Sequence, residues 1–204
     1  MPEAFTLLPD EELMSLLQRG SDAAFTQLVR RYKDSLTNFV YRNLGELDRT
    51  NDVVQETFVR VYHYRASFAR GTRFATWLYQ ITRNAMRTEL RRGAWIRDNH
   101  VRPDLESEGE LNGWESYNSD DPLPDDELEG SMTYQAVQQA LLSINPSYRE
   151  VVVLRDIQQM SYEEIAEITG LESGTVKSRI NRGRAQLQKL LRPIYYADKG
   201  TSRS

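Results

Sequence analysis

The chain has 204 residues, 26 basic and 30 acidic side chains for a net charge of −4, and no cysteine. That length suits one or two domains with modest cores, and the missing cysteine removes disulfide frameworks, thiolate zinc sites and cysteine nucleophiles, which fits a reducing compartment. His63 and His100 are the two histidines; so small a stock of ligands and acid–base groups leads us to expect no catalytic residue, no metal and no cofactor.

The N-terminal stretch carries Asp10, Glu11 and Glu12 rather than a basic segment followed by an apolar run. No stretch approaches the roughly 18 apolar residues of a membrane span, so a cytoplasmic protein with no membrane contact is expected. Asp10 is read as the cap of a short helix with Leu13, Leu16 and Leu17 inward, closed by Gly20. Ser21 or Asp22 then opens a long helix in which Phe25, Leu28, Val29, Tyr32, Leu36, Phe39 and Val40 recur at helical steps until Gly45. The absence of proline between Pro9 and Pro103 suits an uninterrupted helical bundle.

A third helix, opened by Thr50 or Asn51, turns Val54, Thr57, Phe58 and Val61 inward. Asp52, Gln55, Glu56 and Val59 share its outer side with Arg60 and His63. That mixture is an ordinary solvated face or a docking face for a basic partner. Ser67 to Arg73 has turn chemistry with two arginines and leads into a helix whose inner stripe is Phe74, Trp77, Leu78, Ile81 and Ala85. On its other side stand Arg73, Gln80, Arg83, Asn84, Arg87 and Arg91. A basic and amide stripe after an Arg-Gly loop, near aromatic rings, is what a single-stranded nucleic-acid site requires: arginines track phosphates, while rings or amides hold unstacked bases.

Residues 98–130 show no helical period, and Pro103, Gly109, Gly113, Pro122, Pro124 and Gly130 interrupt them. Their 12 acidic side chains face one arginine, Arg102, a net −11, so the remainder of the chain is net +7. We read a flexible acidic linker between two basic parts. Trp114 and Tyr117 within it are aromatic side chains of the kind that order on a partner or stay inert.

Order is expected to resume near Ser131, with Tyr134, Val137, Leu141 and Ile144 along one helix and Asn145-Pro146 capping the next. Val151 to Leu154 has strand propensity, yet helical caps and the lack of a partner strand assign it to a helix. Ser161 and Glu164 form a capping box for a helix burying Ile165, Ala166 and Ile168, and Gly170 ends it. Ser173 is read as the cap of a second helix with Val176, Ile180, Gly183 and Leu187 inward and Lys177, Ser178, Asn181 and Arg182 outward. Two helices across a short glycine turn, the second presenting basic and amide groups, make a helix-turn-helix with a recognition helix suited to duplex DNA. A solvated helix pair in some other helical domain would show the same local pattern. The tail after Pro193 is expected to fray.

The fold class is therefore all-α: two small helical bundles joined by a flexible acidic linker, the second containing the helix-turn-helix. The boundaries are 1–97, 98–130, 131–195 and a tail at 196–204. With both bundles in view, the chain resembles the extracytoplasmic-function (ECF) sigma factors of bacterial RNA polymerase. The stretches that carry the likeness are DVVQETFVRVY from Asp52, FATWLYQITRNAMRTELRR from Phe74 and SYEEIAEITGLESGTVKSRINRGRAQL from Ser161.

The resemblance spans about Gly20 to Leu191 and implies a transcription-initiation subunit, not an enzyme, that joins core RNA polymerase and directs it to particular promoters, in a stress or envelope response. It implies that the first bundle melts the promoter −10 element as single strand and the second reads the −35 element as duplex. Asp52, Gln55, Glu56 and Val59 match polymerase-docking positions. Arg70, Gly71, Thr72, Arg73, Phe74, Gln80, Arg83, Asn84 and Arg87 match the −10 segment that pockets a flipped base. Unstacking that base costs a few kcal/mol, which a basic aromatic pocket offsets without ATP. Lys177, Ser178, Asn181 and Arg182 match base- or backbone-reading positions of the −35 element, with Arg179 and Arg184 placed for phosphates. The linker resembles the family's interdomain segment, whose acidity suits a channel built for RNA. An anti-sigma factor is the usual inhibitory partner of such proteins.

A homodimeric helix-turn-helix regulator acting on a palindromic operator would account for residues 161–191 equally well. It gives no role to the Gln80–Arg91 stripe or the acidic linker, and no heptad seam for dimerisation is present. A nuclease needs metal-binding carboxylates converging in a basic cleft, whereas the acids here concentrate in the linker.

Overall fold

The computed structural model describes residues 5–69, 71–99 and 132–201, with side chains placed over 5–69, 71–92 and 134–193. Arg70 and most of the acidic linker, with Trp114 and Tyr117, lie outside the described residues. Among the described residues every regular element is helical: α1 (Asp10–Gln18), α2 (Asp22–Leu44), α3 (Leu47–His63), α4 (Phe74–Asn99), α5 (Met132–Ser143), α6 (Pro146–Val152), α7 (Tyr162–Thr169) and α8 (Ser173–Thr201).

Local chemistry explains most boundaries. Ser21 caps α2 by accepting from Ala24 N, and Gly45 ends it at φ +77°, a left-handed conformation that costs glycine no steric penalty. Asp10 is not the cap of α1: Pro9 precedes the helix, and the Asp10 carboxylate turns across to Arg31 Nη1 at 2.5 Å and to the Tyr32 hydroxyl. The third helix also starts earlier than Thr50. Glu46 precedes it, and its carbonyl accepts both from Thr50 N at 3.0 Å and from Thr50 Oγ1 at 2.7 Å, so the buried Thr50 lies inside the helix. At its far end α4 runs on through Asp98 to Asn99, past the expected start of the linker.

Asn145 caps α6 with Pro146 at its first position, accepting from Ser147 N. The valine run is helical, with Val151 to Leu154 almost wholly buried, and α6 widens into a π-type turn over Val153–Ile157. The expected capping box opens α7: Ser161 Oγ accepts from Glu164 N, and Ser161 N donates to Glu164 Oε2 at 2.8 Å. Ser173 is itself the first residue of α8, with Glu172 O accepting from Val176 N. Helix α8 continues through Pro193 to Thr201 rather than fraying there. Proline withholds one hydrogen bond from Lys189, an exposed residue whose carbonyl water can serve.

Phe25, Leu28, Phe39, Phe58, Val61, Phe74 and Leu78 unite α1 to α4, while Val151, Val153, Ile165, Val176 and Ile180 unite α6 to α8; all belong to one continuous cluster of buried side chains. The two helical regions therefore pack on each other. Helix α2 lies against α5 and α6, and α4 lies against α7. Arg149 ties the first of these contacts: its guanidinium donates to the Asn43 carbonyl near the end of α2 and to Leu142 O at 2.7 Å near the end of α5. A cation at two helix C-termini is favourable to both helix dipoles. Burial pushes the Arg149 pKa down from its ordinary value.

Candidate nucleic-acid interface

Gly183 sets the position of α8 by its lack of a side chain. A Cβ there would stand 2.6 Å from Val152 Cγ2 and 3.3 Å from Tyr148 Cβ, so α6 and α8 touch almost backbone to side chain. With Val176 and Ile180 wholly buried beside it, the opposite side of α8 must face water. Lys177, Ser178, Asn181 and Arg182 are exposed there, and Arg179 is half-buried.

Two neighbouring groups were not evident from the helical pattern. Tyr162, the first residue of α7, carries the Arg155 guanidinium 4.8 Å and the Lys177 ammonium 5.5 Å from its ring centroid. One aromatic ring thus steadies two cations at the edge of the recognition helix. Arg184 donates from Nε at 3.0 Å and from Nη2 at 2.5 Å to the two carboxylate oxygens of Asp156. That fork raises the Arg184 pKa and holds the guanidinium against the π-type turn. It remains exposed, but its charge is partly answered.

On α4 the sequence stripe divides. Arg73, Asn84 and Arg87 are exposed, Gln80 is half-buried and Arg83 is buried. Gly71 makes the turn before α4 at φ +88°, with Thr72 half-buried beside it. Phe74 is wholly buried, with its ring centroid 5.4 Å from Tyr32, 6.1 Å from Phe68 and 6.2 Å from Trp77. The half-buried Phe68 and Trp77 are the outer rings of this group. Phe74 builds the floor of the aromatic cluster.

The second region covers the basic side of α4. Arg83 Nε donates to Glu150 Oε1 at 2.7 Å, with both side chains 10% exposed. Tyr79, whose pKa burial pushes up to about 12, donates its hydroxyl to Gln158 Oε1 at 2.7 Å. Gln80 Nε2 donates to Glu167 O at 3.0 Å, and Arg73 Nη1 meets Glu164 Oε1 at 2.5 Å. Hydrogen bonds from the Ser161 backbone, and then from Arg73, hold the Glu164 carboxyl below its ordinary value. Helical periodicity could show that Arg83 points away from its own bundle; only the tertiary packing reveals the carboxylate opposite it.

Helix α3 keeps Asp52, Gln55 and Glu56 exposed, with Val59 half-buried. Glu56 accepts from Arg60 Nε at 2.6 Å one turn along. Glu56, Val59, Arg60, His63 and Tyr64 line an open groove, and Tyr64 is 60% exposed. That lining mixes one carboxylate and one valine with an arginine, a histidine and an aromatic ring. Among the described residues no cluster of carboxylates and histidines could hold a metal ion, and no helix is long and apolar enough to cross a membrane.

Comparison with known proteins finds two family matches along the chain. Residues 28–96 match the model of Sigma-70 region 2, and residues 134–187 match that of Sigma-70 region 4. The chain is 34% identical over 184 residues to the ECF RNA polymerase sigma factor SigW of Bacillus subtilis, covering 87% of this chain and 94% of that protein. It is 36% identical over 175 residues to the ECF sigma factor SigE of Mycolicibacterium smegmatis, covering 84% of this chain and 64% of that one. The structure resembles that of the sigma factor RpoE in complex with the anti-sigma factor NepR from Bartonella quintana. The TM-score is 0.63 at 27% identity, over 82% of this chain and 96% of the other.

Proposed function

The chain belongs to the ECF sigma factors, alternative sigma factors that bind RNA polymerase and direct it to promoters, and we propose that its two helical regions divide the promoter between them. Residues 131–195 read the −35 element as duplex and residues 1–97 capture the −10 element as single strand, with the acidic segment 98–130 between. The observation that carries this reading is the exposed set Lys177, Ser178, Asn181 and Arg182 on one side of α8, opposite the buried Val176 and Ile180. Lysine and arginine neutralise phosphates, while asparagine and arginine match adenine and guanine edges in the major groove. Arg179 and Arg184 are proposed for backbone phosphates.

In the first region, the loop from Arg70 to Arg73 and the exposed Asn84 and Arg87 supply the −10 contacts, with Phe68 and Trp77 offering ring faces. Gln80 and Arg83 join them once the second region has moved. Asp52, Gln55, Glu56 and Val59 dock the polymerase. The protein contributes recognition and strand capture, not bond chemistry, and works in the cytoplasm beside its polymerase. An anti-sigma factor is proposed as inhibitory partner, as in the RpoE–NepR complex. Matches to both sigma regions, in order, weigh against a homodimeric regulator that never enters polymerase.

Transcription of a genomic-fragment library by purified core polymerase, with and without the protein, tests the reading. New starts sharing upstream elements at fixed spacing are expected. No new start from a folded protein that binds operator DNA alone would overturn it.

A further inference from the structure

We infer that Glu11 and Gln18 of α1 are positioning residues for the −10 site: they hold residues 65–74 at both ends and so set how the rings there face an unstacked base. The inference rests on the assignment of the −10 site to that stretch and α4, and it gives α1 a part in base preference.

Helix α1 buries Leu13, Met14 and Leu17, and the exposed Glu11 and Gln18 flank that stripe. They stand two helical turns apart, on one side of α1 and about 10 Å from each other along its axis. Gln18 Nε2 donates to Arg65 O at 2.8 Å and to Phe68 O at 3.0 Å, at the start of the stretch. Glu11 Oε1 accepts from Phe74 N at 3.2 Å, at its end. The Phe74 N–H opens α4 and has no acceptor within its own helix; the carboxylate supplies one and sets a negative charge at the positive end of the helix dipole. Helix α1 is itself pinned to α2, where the Asp10 carboxylate accepts from Arg31 Nη1 at 2.5 Å and from the Tyr32 hydroxyl.

Between these anchors the turn stands clear of the helices: a Cβ at Gly71 would meet nothing within 4 Å. Its place is therefore carried from its ends. The ring of Phe68, 5.2 Å from that of Trp77, belongs to a residue whose carbonyl Gln18 holds. Trp77 stands in the first turn of the helix whose opening N–H Glu11 holds. Movement at either anchor shifts one half-buried ring against the other, and stacking on a base depends on how those faces are spaced and tilted. The bonds from Gln18 are exposed, so water can replace them at the two carbonyls. Losing them loosens the stretch without opening the core.

The test is transcription by reconstituted holoenzyme from two promoter libraries, one randomised in the −10 element and one in the −35 element, read by sequencing the transcripts. Gln18→Glu keeps the size of the side chain but has no donor for the two carbonyls. Glu11→Ala removes the acceptor at Phe74 N, whereas Glu11→Gln keeps an amide oxygen there. Gln18→Glu and Glu11→Ala should each lower the ratio of preferred to next-best base within the −10 element by about twofold to tenfold, the range that loss of one net hydrogen bond spans. Preferences within the −35 element should stay as in the wild type, and Glu11→Gln should recover most of the lost ratio.

A merely structural role would lower transcription from every promoter alike and leave the ratios untouched. That outcome, or equal loss of −10 and −35 preference, overturns the inference. If circular dichroism shows Gln18→Glu unfolded, Gln18→Ala, which removes the donor without bringing a charge to the carbonyls, carries the same expectation. Asn84→Ala, at an exposed −10 position that α1 does not hold, separates the two ideas. Altered −10 ratios in that variant, with wild-type ratios in the Glu11 and Gln18 variants, would leave the −10 assignment standing without the part given to α1. Wild-type ratios in all of them would remove both.

Discussion

Replacing Gly183 by alanine tests the seat of the recognition helix, because the cost can be worked from one contact. The new Cβ would lie 2.6 Å from Val152 Cγ2, on a β-branched side chain that is 2% exposed and stiff at χ1. Overpacking of this kind costs about 1–3 kcal/mol. Removing a glycine from a helix returns about 1 kcal/mol, for a net loss of about 0–2 kcal/mol. Gly174, in the same helix, has nothing within 4 Å of its Cβ position, so Gly174→Ala should be neutral or stabilising by up to about 1 kcal/mol. Urea denaturation followed by far-ultraviolet circular dichroism should place the midpoint of Gly183→Ala below wild type and that of Gly174→Ala at or above it. Equal midpoints for the two variants would refute the close approach of α6 and α8.

Three other outcomes bear on function and acid sensitivity. Arg182→Ala should weaken promoter use by about 1–3 kcal/mol and relax preference at one position of the −35 element; unchanged preference in a promoter-variant transcription assay would remove it from base readout. Glu56→Lys should reduce affinity for core polymerase in a fluorescence binding assay with helical content intact, since the lost pair with Arg60 is worth only about 0.3–0.5 kcal/mol. Normal holoenzyme formation would sink the docking assignment. Because its hydrogen bonds depress the Glu164 pKa, their stabilisation is fully present above the ordinary carboxylate range and is lost as pH falls through the lowered value. The stability difference between wild type and Glu164→Gln should therefore be greatest near neutrality and shrink toward acid, and a difference that grows toward acid would contradict it.

Capping explains why so much of the fold was legible beforehand. Ser21, Asn145-Pro146, Ser161 with Glu164, Gly45 and Gly170 act within a turn of their own helices, so their spacing in the chain is their spacing in space. The exceptions had distant partners. Asp10 was taken from its cap by Arg31 and Tyr32, and Thr50 was drawn inside α3 by its bond to the Glu46 carbonyl. Within the candidate sites, the outward side of α8 followed from the positions of Val176, Ile180 and Gly183. The burial of Arg83, the Asp156 fork on Arg184 and the cations over Tyr162 did not follow, because each partner comes from another element.

Taken by itself, the sequence determined an all-helical chain, the two basic regions, the helix-turn-helix and the family to which its motifs belong. Those properties rest on periodicity and on short-range hydrogen bonding, which a linear pattern encodes directly. Tertiary structure alone decided that the two regions meet, that Arg149 spans the ends of α2 and α5, that Glu150 faces Arg83 of α4 and that Glu164 faces Arg73 just before it. A helical pattern says which side of a helix is turned away from its own core. What covers that side depends on packing between residues far apart in the chain.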